Sequence, residues 1–409
     1  MHESVPEVAR PDHVKPEQVY RFDIYNDARL KAGLHDGYRA MQLEAPEIFW
    51  TPLNGGHWMV TRYDLIDHVI RTHEHFSNRE LEVPKTQSPF IALPINLDPP
   101  EHTPYRKMLQ RHFTPRMIAE QTSQMQRWAD QLIDAVVADG SCDFAEALGA
   151  LYPVTVFMEM SGLPHERYRE FRAIVTEFFG QITTERRIEL QRMIFSELEA
   201  VLRARMEVPR DDLFGKLVRD EVDGRPLTMD ELLSLGFLLF VAGLDTVANA
   251  MTFAFHYLAR EPSVQDRLRQ QPDDIPAFIE EVMRRYPVTN GVRVVRDDVE
   301  LAGAQLKQGE MIVAPMTLAG MDEGRNPDPE TFDIDRRKRQ HLGFSTGPHL
   351  CLGHYLAKAE MKIFIQTFLD RIPRFGLAEG FVPDYRAGIV MSLERLPLVW
   401  DAQPAAKAA

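Results

Sequence analysis

Apolar residues recur at helical spacing along most of the chain. The strongest case is Asp230 to Arg260, which is apolar nearly all round and therefore predicts a helix through the core. Thr228 is placed to cap its start, with Glu231 three residues on in capping-box spacing. The same periodicity predicts helices over 61–76, 104–137, 145–162, 263–270, 274–286 and 352–368. It also predicts two helices within 165–207, on either side of Thr183-Thr184-Glu185. Strand-like alternation is brief. It covers HWMVTRYD after the turn Asn54-Gly55-Gly56, Glu300–Leu301 and Gln305–Leu306 about Ala302-Gly303-Ala304, and Met311–Ala314. A closing strand pair is expected at Gly388–Glu394 and Pro397–Trp400. Residues 77–100 and 322–343 are irregular, and an irregular segment as long as the second usually serves a function. The balance is a mainly α fold with a small β portion.

Length and composition narrow this picture. The 409 residues contain no linker, repeat or low-complexity run, so one domain over 1–409 is expected, with 1–20 a flexible arm and 402–409 a tail. A net charge of −14 argues against a nucleic-acid partner. The first residues are polar, and the longest apolar run, Leu232–Leu244, is too short to cross a bilayer and ends at Asp245. The expectation is a soluble, cytoplasmic protein with no membrane anchor. Two cysteines, Cys142 and Cys351, supply no disulfide framework.

Three local patterns carry chemistry. In Phe344-Ser345-Thr346-Gly347-Pro348-His349-Leu350-Cys351-Leu352-Gly353, a Gly-Pro turn leads to Cys351 at the head of a helical run. Unpaired amides and the positive end of the helix dipole favour a thiolate there, and Gly353 leaves room for a flat ligand. Taken alone, the string fits either a packed structural thiol or a thiolate ligand of haem iron. In Ala242-Gly243-Leu244-Asp245-Thr246, an acid and a hydroxyl interrupt the apolar helix; Thr246 can bond back to a carbonyl one turn earlier and bend it. In Glu281-Val282-Met283-Arg284, an acid and a base share one helix face.

Together these strings match F-x-x-G-x-x-x-C-x-G, A-G-x-D-T and E-x-x-R, and the chain resembles a cytochrome P450. The likeness runs from about residue 20 to 401 and is strongest to the soluble bacterial camphor-hydroxylating type, as in Asn54-Gly55-Gly56-His57-Trp58 and Leu396-Pro397-Leu398-Val399-Trp400. The resemblance implies a triangular helix-rich prism with haem b between the long helix and the cysteine loop. It implies Cys351 as the axial iron ligand, flanked by Phe344 and Gly353, and His102, Arg106, Arg293 and His349 as haem propionate anchors. It gives Thr246 a hydrogen bond to the iron-bound peroxo group and Asp245 a proton relay towards it. Glu281 and Arg284 become structural, although Thr331 in Pro329-Glu330-Thr331-Phe332 stands where many members place a third, basic partner.

The resemblance also implies a monooxygenase that uses O2 and NADH-derived electrons delivered by a reductase and a [2Fe–2S] ferredoxin. Arg336-Arg337-Lys338-Arg339, with Arg106, is the expected docking patch for that acidic donor. The substrate wall is expected at Phe90, Leu238, Val241, Thr289, Ile389 and Val390. Phe90 stands where the camphor-hydroxylating relatives carry a Tyr that bonds the ketone, and Gly291 replaces an acidic residue. A small apolar terpenoid or norisoprenoid is therefore a better expectation than camphor. Two alternatives are a peroxide-driven peroxygenase, against which Asp245-Thr246 argues, and a non-catalytic binder of haem or an apolar ligand.

Overall fold

The structure, a computed structural model, describes residues 7–85, 90–178 and 183–402. By internal packing the chain falls into two compact units. The first comprises 1–103, 280–351 and 384–392, and the second 104–279, 352–383 and 393–409.

The first unit is built on a five-stranded sheet. Its strands, in spatial order, are Ile48–Thr51, His57–Val60, Met311–Pro315, Asn290–Val295 and Phe76–Ser77. Ile48 pairs with Val60 across the Asn54-Gly55-Gly56 turn, where Asn54 (φ 51°), Gly55 (83°) and Gly56 (75°) all take the left-handed conformation. Met311–Pro315 runs antiparallel to Asn290–Val295, with Val313 opposite Val292. The predicted helix over 61–76 is shorter, Tyr63–Arg71, because the chain turns at Thr72 and Phe76 enters the sheet opposite Val295. Residues 1–6 lie outside the described residues, but the segment read as a flexible arm is anchored from Val8 onward. Val8 N–H donates to Pro52 O (3.0 Å), His13 Nε2 meets Glu310 Oε1 at 2.9 Å, and Val14 is fully buried.

The second unit is helical. The predicted 104–137 helix divides into His102–Gln110, Pro115–Glu120 and Thr122–Asp134. Pro115 cannot continue a preceding helix, and Thr114 caps the new one by accepting from Met117 N–H (3.3 Å). The 145–162 helix opens with a π turn, Ala145–Gly149, and runs on as Leu151–Ser161. Helices Tyr168–Phe178 and Thr184–Glu207 follow, the second capped by Thr183; residues 179–182 lie outside the described residues, as do 403–409 of the predicted tail.

The long helix, Met229–Arg260, begins with the predicted capping box at Thr228 and Glu231. Its length and apolarity would let it cross a membrane. Yet 61% of its apolar window is buried inside the protein, where it packs on Leu151–Ser161 and Thr184–Glu207. An aromatic layer fixes its far end. Phe144 stacks on Phe255 at 4.0 Å, Phe255 meets Phe368 at 4.8 Å, and Phe368 meets Phe375 at 5.1 Å. Each such ring contributes roughly 1.5–3 kcal/mol by leaving water. Pro397–Trp400 pairs with Phe375–Leu377 and Ser141–Asp143, and not with the predicted 388–394 partner. The strands Ser141–Asp143 and Phe375–Leu377 escaped the sequence reading because three residues are too few to show alternation, and Asn290–Val295 because it alternates only at Val292-Arg293-Val294.

Candidate active site

The cysteine loop lies within the first unit up to Cys351. Its Gly347 adopts φ 65°, and a Cβ there would press on Arg71 Cα at 3.2 Å. The Cys351 amide donates to Phe344 O at 2.8 Å, closing the loop on the aromatic residue that opens the motif. One correction concerns the helix start. A single 3-10 turn covers Gly347–His349, and the final helix begins only at His354, with Gly353 as its N-cap residue. Cys351 thus stands ahead of the helix with Leu352 and Gly353 between, where the sequence pattern starts the helix at Leu352. A Cβ on Gly353 would meet nothing within 4 Å. Cys142 makes the contrast plain. It lies in the strand Ser141–Asp143, and burial, with Asp143 and Asp139 beside it, pushes its thiol up to about 12. It is an inert packed thiol.

Three of the four predicted anchors share the first unit. The rings of His102 and His349 are 4.6 Å apart, and Asn78 Nδ2 lies 3.5 Å from His349 Nδ1. Arg293 is buried on its strand, where its guanidinium donates to Val292 O (2.8 Å) and Ile70 O (3.3 Å). Burial pulls its pKa down to about 10, opposed only by the charge of Asp98. A buried cation whose hydrogen bonds end on neutral carbonyls favours an anionic ligand. Arg106 stands one turn after His102 on the helix His102–Gln110. A Cβ on Gly291 would meet the tip of the Ile70 side chain, Cδ1, at 2.3 Å, so a larger residue there requires that side chain to shift.

Several predicted wall residues also meet in the first unit. Thr289 bridges Val390, and Asn290 N–H donates to Ile389 O at 2.8 Å. Thr289, Ile389, Val390 and Phe90 are all half-buried. Among the described residues, the Thr289 hydroxyl makes a weak contact, 3.9 Å to Met316 Sδ.

In the second unit, the long helix carries an accessible stripe across its middle. Val241 and Leu244 are buried, whereas Ala242 is exposed and Leu238, Asp245 and Thr246 are half-buried. The spacing 238, 242, 245, 246 places them on one face. The Thr246 hydroxyl donates to Ala242 O at 3.2 Å, the back-bond the sequence suggested, yet the helix continues unbroken to Arg260. A Cβ on Gly243 would lie 3.0 Å from the Phe157 ring, so glycine lets the neighbouring helix approach there.

Glu281 and Arg284 form a fully buried ion pair. Arg284 Nη2 and Nε donate to the Glu281 oxygens at 2.7 and 3.0 Å, and neither side chain is exposed. Arg284 also donates to the carbonyls of Gly320, Pro329 and Thr331. The third, basic partner missing at Thr331 is supplied by Arg336. Its Nε donates to Glu281 Oε1 at 3.2 Å and its other nitrogens to Pro327, Asp328 and Thr331 carbonyls. Arg339 adds a contact to Glu281 at 3.5 Å. Burial pushes the Glu281 carboxyl up, but Arg284, the Asp333 amide and Arg336 outweigh this and hold it below the usual range. The basic run is thereby corrected as a docking patch: Arg336 and Arg339 turn inward, and only Arg337 and Lys338 are exposed. Reading spacing could not reveal this, because the run gives no sign of which bases face in.

A sequence profile of the cytochrome P450 family matches residues 146–373. The probable cytochrome P450 127A1 of Sinorhizobium fredii is 30% identical over 400 residues, 95% of this chain and 96% of that protein. A steroid C26-monooxygenase of Mycobacterium tuberculosis is 31% identical over 330 residues, 78% of this chain and 89% of that protein. Among solved structures, CYP101J2 is 34% identical with a TM-score of 0.90, covering 96% of this chain and 99% of that one. CYP101C1 is 29% identical with a TM-score of 0.90, covering 96% and 100%. With its three motifs, its mainly helical fold and these relatives in agreement, the chain belongs to the cytochrome P450 family.

Proposed function

We propose that this haem monooxygenase hydroxylates an unactivated C–H bond of a small apolar molecule of terpenoid or norisoprenoid kind. Its electrons come from NADH through a reductase and a [2Fe–2S] ferredoxin. Proteins of the family bind haem b through a cysteine thiolate, and the haem supplies activation of O2 when bound. The residues of this chain fit that group. Cys351 would hold the haem iron through its thiolate, on a loop closed by its own amide to Phe344 and followed by the unobstructed Gly353. Arg293, His102 and His349 would take the propionates, with Arg106 the fourth expected anchor, and the buried Arg293 favours a carboxylate over its two carbonyl acceptors.

The observation that carries the reading is the accessible stripe on the long helix. An acid and a hydroxyl on an otherwise core-packed helix serve proton delivery better than stability. Thr246 holds a proton donor in place through its bond to Ala242 O, and Asp245 passes protons between solvent and that hydroxyl. Leu238 and Val241 present apolar surface on this helix, and in the first unit Phe90, Thr289, Ile389 and Val390 are the apolar groups expected to meet the substrate. Thr289 is the main polar handle among them, and Phe90 cannot bond a ketone. Arg337, Lys338 and Arg106 attract the acidic ferredoxin.

A panel of small apolar ligands, scored by their shift of the ferric haem spectrum, tests the pocket. Terpenoids should shift it towards the water-free form and polar analogues should not; a panel without response refutes the apolar wall.

A further inference from the structure

Asn290 is a polar residue in an apolar place. It opens the strand Asn290–Val295, is buried, and stands directly after Thr289 of the expected substrate wall. The ladder with Met311–Pro315 ends there, opposite Pro315, which has no N–H to give. The Asn290 backbone N–H donates to Ile389 O at 2.8 Å, and the Met391 N–H donates to Val288 O at 2.8 Å. The side chain reinforces this pairing. Its Nδ2 donates to Gly388 O at 2.7 Å and to the Tyr38 hydroxyl at 2.9 Å. Gly388 O can only accept, so the amide nitrogen and not its oxygen must face it. Asn290 Oδ1 is buried with no partner among the described residues, so the residue is kept for its donors. Tyr38 is itself fully buried on the helix Leu34–Glu44, its ring 5.4 Å from that of Phe22. Tyr25 also packs close to Gly388, which takes φ 136°; a Cβ there would meet the Tyr25 ring at 2.8 Å.

We propose that Asn290 is a positioning residue for the substrate: it clasps Gly388–Val390 to the strand end and so fixes the spacing between the Thr289 hydroxyl and the apolar pair Ile389 and Val390. The claim rests on the reading of these three residues as substrate contacts. In extended chain, neighbouring side chains point to opposite faces, so while Asn290 faces Tyr38, Thr289 faces away from it. The Thr289 hydroxyl, with its weak contact to Met316 Sδ, is left to a polar group of the substrate. Val390 stands opposite Thr289 across an isolated bridge, one residue from Ile389. An isolated bridge is a weak tie, and the Nδ2 bond to Gly388 O is what holds the segment at the glycine end. A substrate oxygen held at Thr289 and a ring packed on Ile389 and Val390 present one carbon for oxidation only while this spacing is fixed, since a misplacement of about 1 Å can cost about 100-fold in rate.

The test uses the full-length holoenzyme with menthone, a monocyclic terpenoid ketone, as probe. Asn290→Leu keeps the side-chain bulk and removes the donors. The amides of 388–391 should then exchange with D2O about ten-fold faster than in the native chain, while those of His57–Val60 keep their rates. The ratio of hydroxylated menthone products should change by about five-fold, the size of one net hydrogen bond. Such a ratio is formed within each active molecule, so it does not depend on how much of the protein is folded. Tyr38→Phe, which deletes one acceptor and keeps the ring, should move both readouts the same way by about two-fold, and it decides the matter if Asn290→Leu fails to bind haem. Native exchange rates in the folded variants overturn the clasp. Thr289→Val and Val390→Ala test the wall itself. If they shift the product ratio and the clasp variants do not, the positioning role alone is refuted. If they leave it unchanged, or the native enzyme does not oxidise menthone, the wall reading fails and the positioning role with it.

Discussion

Two helices of this protein, the long one and Ile275–Arg285, each carry a carboxylate away from open solvent, and each treats it differently. Glu281 has no exposure and is held by Arg284, Arg336, Arg339 and the Asp333 amide. Asp245 lies half-buried beside the exposed Ala242, with Thr246 turned back on its own helix. A carboxylate locked by every neighbour cannot move a proton, because it is held ionised in one geometry. One at the edge of an accessible stripe can do so. The contrast separates a charge kept for structure from a charge kept for chemistry.

The difference is broken most severely at Arg284. Arg284→Ala leaves Glu281 buried with its main partner gone and frees the Gly320, Pro329 and Thr331 carbonyls. Removing one partner of a buried ion pair costs about 3–5 kcal/mol. The variant should unfold at much lower denaturant and retain little haem. A midpoint equal to that of the native chain would show the network to be dispensable. Asp245→Asn should do the reverse: its midpoint should stay within about 0.5 kcal/mol of native. Product per NADH should drop by about 100-fold as peroxide rises, and well-coupled turnover would remove Asp245 from the relay.

Much of this contrast was legible in the sequence. Asp245-Thr246 declared itself because an acid is costly in an apolar helix, and Thr228–Glu231 because capping follows a fixed spacing. The Gly-rich turn before Trp58 and the loop 322–343 were also readable, since glycine and proline act locally. What was not legible depends on distance in space. Arg336 reaches Glu281 across 55 positions, and nothing in Arg336-Arg337-Lys338-Arg339 marks which side chains turn in. Periodicity starts the final helix at Leu352, directly after Cys351, whereas the loop closed by the Cys351 bond to Phe344 O delays it to His354. The helix over 104–137 was drawn unbroken because its apolar period survives the Thr114-Pro115 break.

A third carboxylate lies between the two extremes. Glu231 closes the capping box of the long helix and also takes Tyr105 and Arg225. The Arg225 guanidinium, aided by Tyr105 and Thr228 and opposed by burial, holds it at about 2. Because folding depresses this pKa from 4.5, its contribution is complete above 4.5 and is lost as pH falls towards 2. Stability measured over that acid range should fall less steeply in Glu231→Gln than in the native chain. Equal slopes would show that the cap is not felt.

The smallest effects should sharpen the comparison most, since they come from four adjacent bases. Arg336→Ala removes donors to Glu281 and to three carbonyls and should cost about 1.5–3 kcal/mol, as for hydrogen bonds to charged groups. Arg337→Ala and Lys338→Ala, on exposed side chains, should each stay within about 0.5 kcal/mol in the same denaturant titration. Their effect belongs instead to ferredoxin reduction, which charge reversal should slow at low salt and leave nearly unchanged at high salt, where exposed charges are screened. If Arg336→Ala were as mild as Arg337→Ala, the Glu281 site would not need its third base. If reversing Arg337 and Lys338 left reduction untouched, the outward pair would be ordinary surface charge. The two readouts are independent, because one follows the fold and the other the encounter with the donor, so the run of four bases divides into its structural and its docking halves within a single set of variants.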